Sequence, residues 1–166
     1  MKYFTVSDHF IRLIDKSDNI ELANIIRNSL LEFNAAKPGT VYYDKTTDHL
    51  YELFRKEGSC YFVAITAGKI AGGCGIYPTA GLDTDTCELV KFYLSREARG
   101  KGIGRILLNK CMEAAVQLSY HKVYIETMPE LKVAIPMYEK AGFKMLPGPL
   151  GNSGHSGCDI WMIKQL

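Results

Sequence analysis

"SREARGKGIGRILL", Ser95–Leu108, carries three alternating glycines, Gly100, Gly102 and Gly104, between Arg99 and Arg105, directly before a helical apolar pattern. Glycine leaves backbone amides uncovered, and the start of a helix offers N–H groups without partners, so an anion is expected on this stretch. A helix end contributes about 0.3–1 kcal/mol to a favourable anion, and Arg99, Lys101 and Arg105 add charge. A pyrophosphate fits such a cradle. A dinucleotide fold does not fit. Its fingerprint is G-x-G-x-x-G in the first strand-to-helix turn, whereas here the spacing is G-x-G-x-G in mid-chain, after two antiparallel strands. A P-loop needs Gly-Lys-Ser/Thr, and Lys101 is followed by Gly102.

Outward from the loop, "TCELVKFYL" (Thr86–Leu94) reads as a strand. Gly102 to about Leu118 reads as a helix with an apolar stripe of Ile103, Ile106, Leu107, Cys111, Ala114, Ala115 and Leu118, and "KVYIET" (Lys122–Thr127) as a buried strand. Strand–helix–strand of this length implies parallel pairing. Upstream, "CYFVAIT" and "KIAGGCGIY" form a hairpin about Ala67-Gly68. Gly72, Gly73 and Gly75 weaken the second strand unless a backbone or ligand approaches closely there.

The first third reads as a strand over Phe10–Ile14, a helix capped by Asp18 or Asn19, a loop broken by Lys37-Pro38-Gly39, and a second helix capped by Thr47 or Asp48 and running to Lys56. After the central unit come a helix over Leu131–Gly142, bent at Pro136, and two strands, "FKML" and "CDIWMIKQL". The order β α α β β β α β α β β predicts an α/β (α+β) fold, a mixed and mostly antiparallel sheet with one parallel pair and helices on both faces. Residues 1–166 are read as a single domain.

Composition is that of an ordinary globular chain, with a net charge of +2 that does not argue for nucleic acid. The basic residues cluster: Lys91, Arg96, Arg99, Lys101, Arg105 and Lys110 suit an anionic ligand, or form a solvated helix face. The five cysteines (Cys60, Cys74, Cys87, Cys111 and Cys158) include no CxxC pair and read as reduced, mostly buried thiols, with Cys87 and Cys158 the catalytic candidates. No His, Cys or Asp spacing suggests a metal. The N-terminal "MKYFTVSDHFIRLI" puts Asp8 and His9 where a leader needs an apolar run, and no stretch has the length of a membrane span; a cytoplasmic location is expected.

"RGKGIG" (Arg99–Gly104) matches the Arg/Gln-x-x-Gly-x-Gly/Ala motif, "ELVKFYLSREA" has the strand length expected before it, and "MYEKAGFKML" resembles a closing helix with a Tyr-to-Gly-Phe ending. On these motifs the chain, from Cys60 onward, resembles the GCN5-related N-acetyltransferases, the GNAT superfamily. The resemblance implies acetyl-CoA as co-substrate, with the amides of Arg99, Gly100, Lys101, Gly102, Ile103 and Gly104, together with Arg105, on its pyrophosphate. The backbone of Phe92, Tyr93 and Leu94 would hold the pantetheine arm like an added strand where two central strands splay. Lys91, Arg96 or Lys101 would meet the 3′-phosphate.

The implied chemistry is acetyl transfer to a primary amine of a small molecule or peptide, by direct attack in a ternary complex. An amine with a pKa near 10.4 is protonated at neutral pH, so a base is required. Glu88 stands where some branches of the family carry one; the other reading is an edge-strand carboxylate in a surface salt bridge. Tyr138 matches the family's general acid for the departing thiolate; otherwise it is a helix tyrosine packed on the sheet. The Phe92 amide would meet the oxyanion. Many members carry asparagine three positions before Ala134, where this chain has Leu131, leaving Thr127, Glu130 or a water to make that contact. His155, in a loop of small residues, is a proton relay, a substrate contact or a solvated bystander. Tyr42, Tyr43, Tyr51 and Asp44 would shape an amine pocket or pack helices. A non-catalytic acyl-CoA sensor is the alternative function, and a homodimer stays open.

Overall fold

The computed structural model describes residues 9–166. Residues 1–8, which hold most of the segment compared above with a leader, lie outside that description. The strands are β1 (His9–Leu13), β2 (Cys60–Thr66), β3 (Lys69–Tyr77), β4 (Thr86–Leu94), β5 (Lys122–Thr127), β6 (Lys144–Leu146) and β7 (Ile160–Gln165). They form one sheet in the order β1-β2-β3-β4-β5-β7-β6. Every neighbouring pair is antiparallel except β4–β5. The helices are α1 (Asn19–Glu32), α2 (Leu50–Leu53), α3 (Ile103–Gln117) and α4 (Ala134–Lys140). The fold class read from the sequence is therefore the one observed.

Each face of the sheet buries its own core. Ile103, Leu107, Leu108, Cys111 and Ala115 of α3 pack with Cys74, Ile76, Leu89, Val123 and Ile125. On the opposite face Leu22, Ile26 and Leu30 of α1 and Leu50 of α2 pack with Tyr61, Val63 and Ile65. A fully buried aliphatic side chain contributes about 1.5–3 kcal/mol, so these two stripes clamp the sheet from both sides.

β4 and β5 pair only at their beginnings, Thr86 with Lys122, Cys87 with Val123 and Glu88 with Tyr124. β5 then stays with β7 along its whole length, as far as Thr127 opposite Ile160. β4 instead bends away through a bulge. Gly75 stands opposite Val90 and Gly73 opposite Tyr93, so β4 advances one residue more than β3 over that span. Lys91 takes the extra place at φ +51°, an uncommon conformation for a side-chain-bearing residue. The Tyr61 hydroxyl holds it by donating to the Lys91 carbonyl at 2.8 Å. The glycines of β3 make this packing possible. A Cβ on Gly72 would lie 2.1 Å from the Tyr93 carbonyl oxygen, and one on Gly73 would lie 2.3 Å from the Tyr61 ring.

Two helices differ from the sequence expectation. α2 covers only Leu50–Leu53, and the stretch before it winds into 3₁₀ turns over Val41–Tyr43 and Lys45–Asp48. Both expected caps are engaged elsewhere: Asp48 takes Arg27 bidentately at 2.5 and 2.8 Å, and the Thr47 hydroxyl donates to the Val41 carbonyl. Asp44 caps instead, accepting from the Thr46 amide at 2.9 Å. α4 begins at Ala134 rather than Leu131, which leaves Pro136 in its first turn. A proline there costs no helical hydrogen bond, so no bend is needed. At the other end Gly142, at φ +95°, closes the helix as expected, with the Phe143 amide donating to the Tyr138 carbonyl at 3.0 Å.

Candidate active site

The divergence of β4 from β5 opens two cavities that meet. The first is a groove of about 300 Å³ between the glycine loop and α4, with Leu94, Arg105, Ala134 and Met137 among its walls. The second is a chamber of about 50 Å³ with Glu88, Lys91, Glu126 and His155 among its walls. Phe92, Tyr93, Leu131 and Tyr138 line both and so mark the junction.

The groove is a backbone surface. Gly100 and Gly102 sit at φ +73° and +79°, with open space where their Cβ atoms would be, so left-handed geometry rather than crowding selects glycine there. Gly102 is the N-cap of α3, and the first helical bond runs from the Ile106 amide to the Gly102 carbonyl at 3.3 Å. The amides before Ile106 thus emerge at the helix end, the positive pole of the helix dipole. A Cβ on Gly104 would touch Phe92, Leu94 and Met137 at 3.6 Å, so this glycine forms part of the groove floor. The Ile103 side chain is buried in the core and leaves only its amide for a ligand.

The basic cluster separates by partner. Arg99 stacks on Phe33 and bonds Glu32 at 2.9 Å, the Ser29 hydroxyl at 3.1 Å and the Leu94 carbonyl at 3.1 Å, tying the loop to α1. Arg96 reaches toward Glu32 and Lys110 pairs with Glu113. Lys91 is buried, with its ammonium on Asp44 at 3.1 Å, so it stands on the chamber side and away from any phosphate at the loop. Among the described residues, Lys101 and Arg105 have no carboxylate within ion-pair distance; both are exposed, and Arg105 lines the groove.

The chamber is a side-chain surface. Glu88 is 2 % exposed, which overturns the surface salt-bridge reading. One of its oxygens accepts from the Thr79 hydroxyl at 2.5 Å. Burial pushes its pKa up to about 7, with the Thr79 bond opposing the rise and the nearby Glu126 charge adding to it. Tyr138, also buried, packs with Phe92 and Phe143, and burial holds its phenol well above the ordinary range, fully protonated at neutral pH. Cys158 lines the chamber too, but burial pushes its thiol up to about 12, as it does for Cys87, so neither offers a thiolate.

Glu88, Glu126 and His155 each bring one polar atom to within 4.8 Å of the others, a meeting that no spacing in the sequence announces. The Tyr124 and Ser153 hydroxyls bond the two Glu126 oxygens. His155 is no solvated bystander: its Nε2 lies 3.0 Å from Asp44, the carboxylate that also takes Lys91. Of the residues proposed for an amine pocket, Asp44 alone reaches this group, while Tyr42 meets Tyr43 edge to face and Tyr51 meets Arg55. Leu131 lies at the junction, Thr127 faces the chamber, and Glu130 pairs with Lys37 outside both cavities. Glu126 and Thr79 were not found from sequence. Once Glu88 is known to pair with Tyr124, alternation along β5 puts Glu126 one step further on the Tyr124 face.

The model of the acetyltransferase (GNAT) family matches residues 26–143. The chain belongs to the GNAT family. The YjgM protein of Escherichia coli (strain K12), described as an uncharacterized N-acetyltransferase, is 35% identical to this GNAT chain over 157 residues, 94% of each protein. An acetyltransferase of the GNAT family from Staphylococcus aureus Mu50 superposes with a TM-score of 0.81 at 20% identity, over 95% of this chain and 98% of that one. The putative acetyltransferase YncA of Salmonella typhimurium, solved with acetyl-CoA, superposes at 0.73 with 20% identity, over 96% and 94% of the two chains. Among the described residues, no helix is long and apolar enough to cross a membrane.

Proposed function

We propose that this GNAT chain acts as one catalytic unit that transfers the acetyl group of acetyl-CoA to a primary amine by direct attack in a ternary complex. The observation that carries the reading is the junction. A cationic, amide-lined groove meets a buried polar chamber where Phe92 and Tyr138 line both. The pyrophosphate rests on the amides from Gly100 to Gly104, with Lys101 and Arg105 supplying positive charge. The pantetheine arm follows the freed side of β4 along Phe92 and Tyr93. The Leu94 carbonyl is already taken by Ser29 and Arg99, so this residue contributes its side chain to the wall.

The thioester carbonyl then stands at the splay, where the Phe92 amide receives the developing oxyanion. Glu88 takes a proton from the incoming ammonium, and a base with a pKa near the working pH suits that task. The amine attacks, the tetrahedral intermediate collapses as Tyr138 gives its proton to the leaving thiolate, and the second amine proton restores the Tyr138 phenol. A chamber this small admits the amine end of an acceptor and little more, consistent with a small molecule or the tip of a peptide side chain.

Calorimetric titration with acetyl-CoA, followed by an assay of thiol release over a panel of amines, tests the reading. Saturable binding with release on an amine is expected, and Tyr138→Phe should lower turnover about 100-fold while leaving cofactor affinity intact. Tight binding with no release on any amine would favour the sensor alternative, and no binding would remove the reading altogether.

A further inference from the structure

Acetylating an ammonium releases one proton per turnover. The amine loses two: one passes to the departing thiolate, and the other stays on the base. If Glu88 is that base, as proposed above, its proton must leave a residue that is only 2 % exposed before the next cycle. Thr79 points its own hydroxyl proton at Glu88, and an alcohol is too weak a base to hold the proton that the carboxyl gives up. Glu126 has both oxygens engaged by the Tyr124 and Ser153 hydroxyls. Lys91 is buried and tied to Asp44 and Thr47.

His155 is what remains. It brings a polar atom within 4.8 Å of both Glu88 and Glu126, a gap that one bridging water spans. The side chain of His155 is 14 % exposed and that of Asp44 is 23 % exposed, so exposure rises stepwise outward from Glu88. Burial works to raise the Asp44 carboxyl, but the bonds from His155 and Thr46 and the charge of Lys91 hold it well below the usual carboxylate range, so it stays ionised and accepts from Nε2–H. The neutral imidazole then keeps an open lone pair on Nδ1. Its loop is fixed in place: the His155 amide donates to Ser153, and the Gly157 amide donates to the Gly39 carbonyl at 2.8 Å.

We propose that His155 is the exit for the catalytic proton and that Asp44 is its positioning residue. The proton leaves the Glu88 carboxyl across one water for the imidazole nitrogen that Asp44 leaves free. The imidazolium is stabilised against the Asp44 anion, and it discharges to solvent. Glu88 is left ionised for the next amine.

Chemical rescue tests this. Formation of the acetylated amine is followed at saturating acetyl-CoA and amine, in a dilute buffer that carries protons poorly. His155→Ala should lose about tenfold or more in kcat while binding acetyl-CoA as before, and tens of millimolar imidazole should restore its rate saturably without affecting the unaltered protein. His155→Gln keeps a bond to Asp44 but carries no proton, and should be equally slow but less rescued than His155→Ala, because its side chain fills the space of the ring. Asp44→Asn should slow turnover and respond less to imidazole, because the native ring remains in the way. Unchanged turnover in His155→Gln overturns the relay, and so does a loss in His155→Ala that imidazole does not relieve at any concentration. The base assignment is read separately: if Glu88→Gln turns over normally, the reading of Glu88 falls and the relay with it.

Discussion

The groove and the chamber share four residues and are built on opposite principles. The groove takes most of its surface from one continuous stretch, Phe92 to Arg105, closed by α4, and presents amides and glycines. The chamber gathers Glu88 and Lys91 from β4, Glu126 from β5 and His155 from the 147–159 loop, with Asp44 of a 3₁₀ turn bonded behind Lys91 and His155, and presents ionisable side chains. A backbone cradle binds any ligand that carries the right anion. A side-chain cluster sets protonation and shape. The difference teaches that binding of the donor and activation of the acceptor are separable: groove changes should move Kd, and chamber changes should move kcat.

Glu88→Gln should break the chamber most severely. It keeps shape and the Thr79 partner but removes the base, so kcat should fall by about 10²–10⁴ with the Kd for acetyl-CoA unchanged. Kinetics against the amine, with calorimetry on the cofactor, read both halves. Gly102→Val is the counterpart in the groove. At φ +79° an L side chain costs roughly 1–2 kcal/mol and distorts the cap, so the Kd for acetyl-CoA should rise about tenfold or more, with kcat at saturation nearly unchanged. Lys101→Ala and Arg105→Ala sharpen the groove further. Each should weaken acetyl-CoA about three- to fivefold at low ionic strength and less at high salt, because both charges are exposed.

A last effect is on stability. The pKa of Glu88 is raised on folding, so the folded chain holds more protons than the unfolded chain between the ordinary carboxylate range and about 7, and stability falls as pH rises through that window. Glu88→Gln should therefore gain roughly 1–3 kcal/mol at pH 8 and close to nothing at pH 4, measured as thermal midpoints of a few degrees' difference. A gain in stability with a loss of turnover would mark a residue held at a cost for function.

The unequal construction also explains what could be read in the sequence. The groove was legible because its chemistry is local: alternating glycines before an apolar helical stripe dictate a left-handed cap and free amides wherever they occur. The β2–β3 hairpin and the parallel β4–β5 pair were legible for the same reason, through a short turn and one crossover, whereas the place of β7 between β5 and β6 was not. The chamber was not. His155 and Asp44 are separated by 111 positions, and nothing in either neighbourhood says that they meet. Lys91 looked like another phosphate contact because its inward turn depends on a bulge set by the glycines of the adjacent strand. The ends of α2 and α4 were misjudged where side chains had other partners, as with Asp48 on Arg27, or where a proline fell in a first turn.

The central claim is that a buried Glu88, ionising near neutrality, activates the acceptor at the splay of β4 and β5. The most direct measurement is kcat/KM for an active amine against pH, with acetyl-CoA saturating, for the unaltered chain and for Glu88→Gln. The account predicts a limb that rises with unit slope and levels near pH 7 in the unaltered chain, superposed on the ionisation of the amine, and its disappearance in the variant. Two profiles of the same shape and height would contradict it.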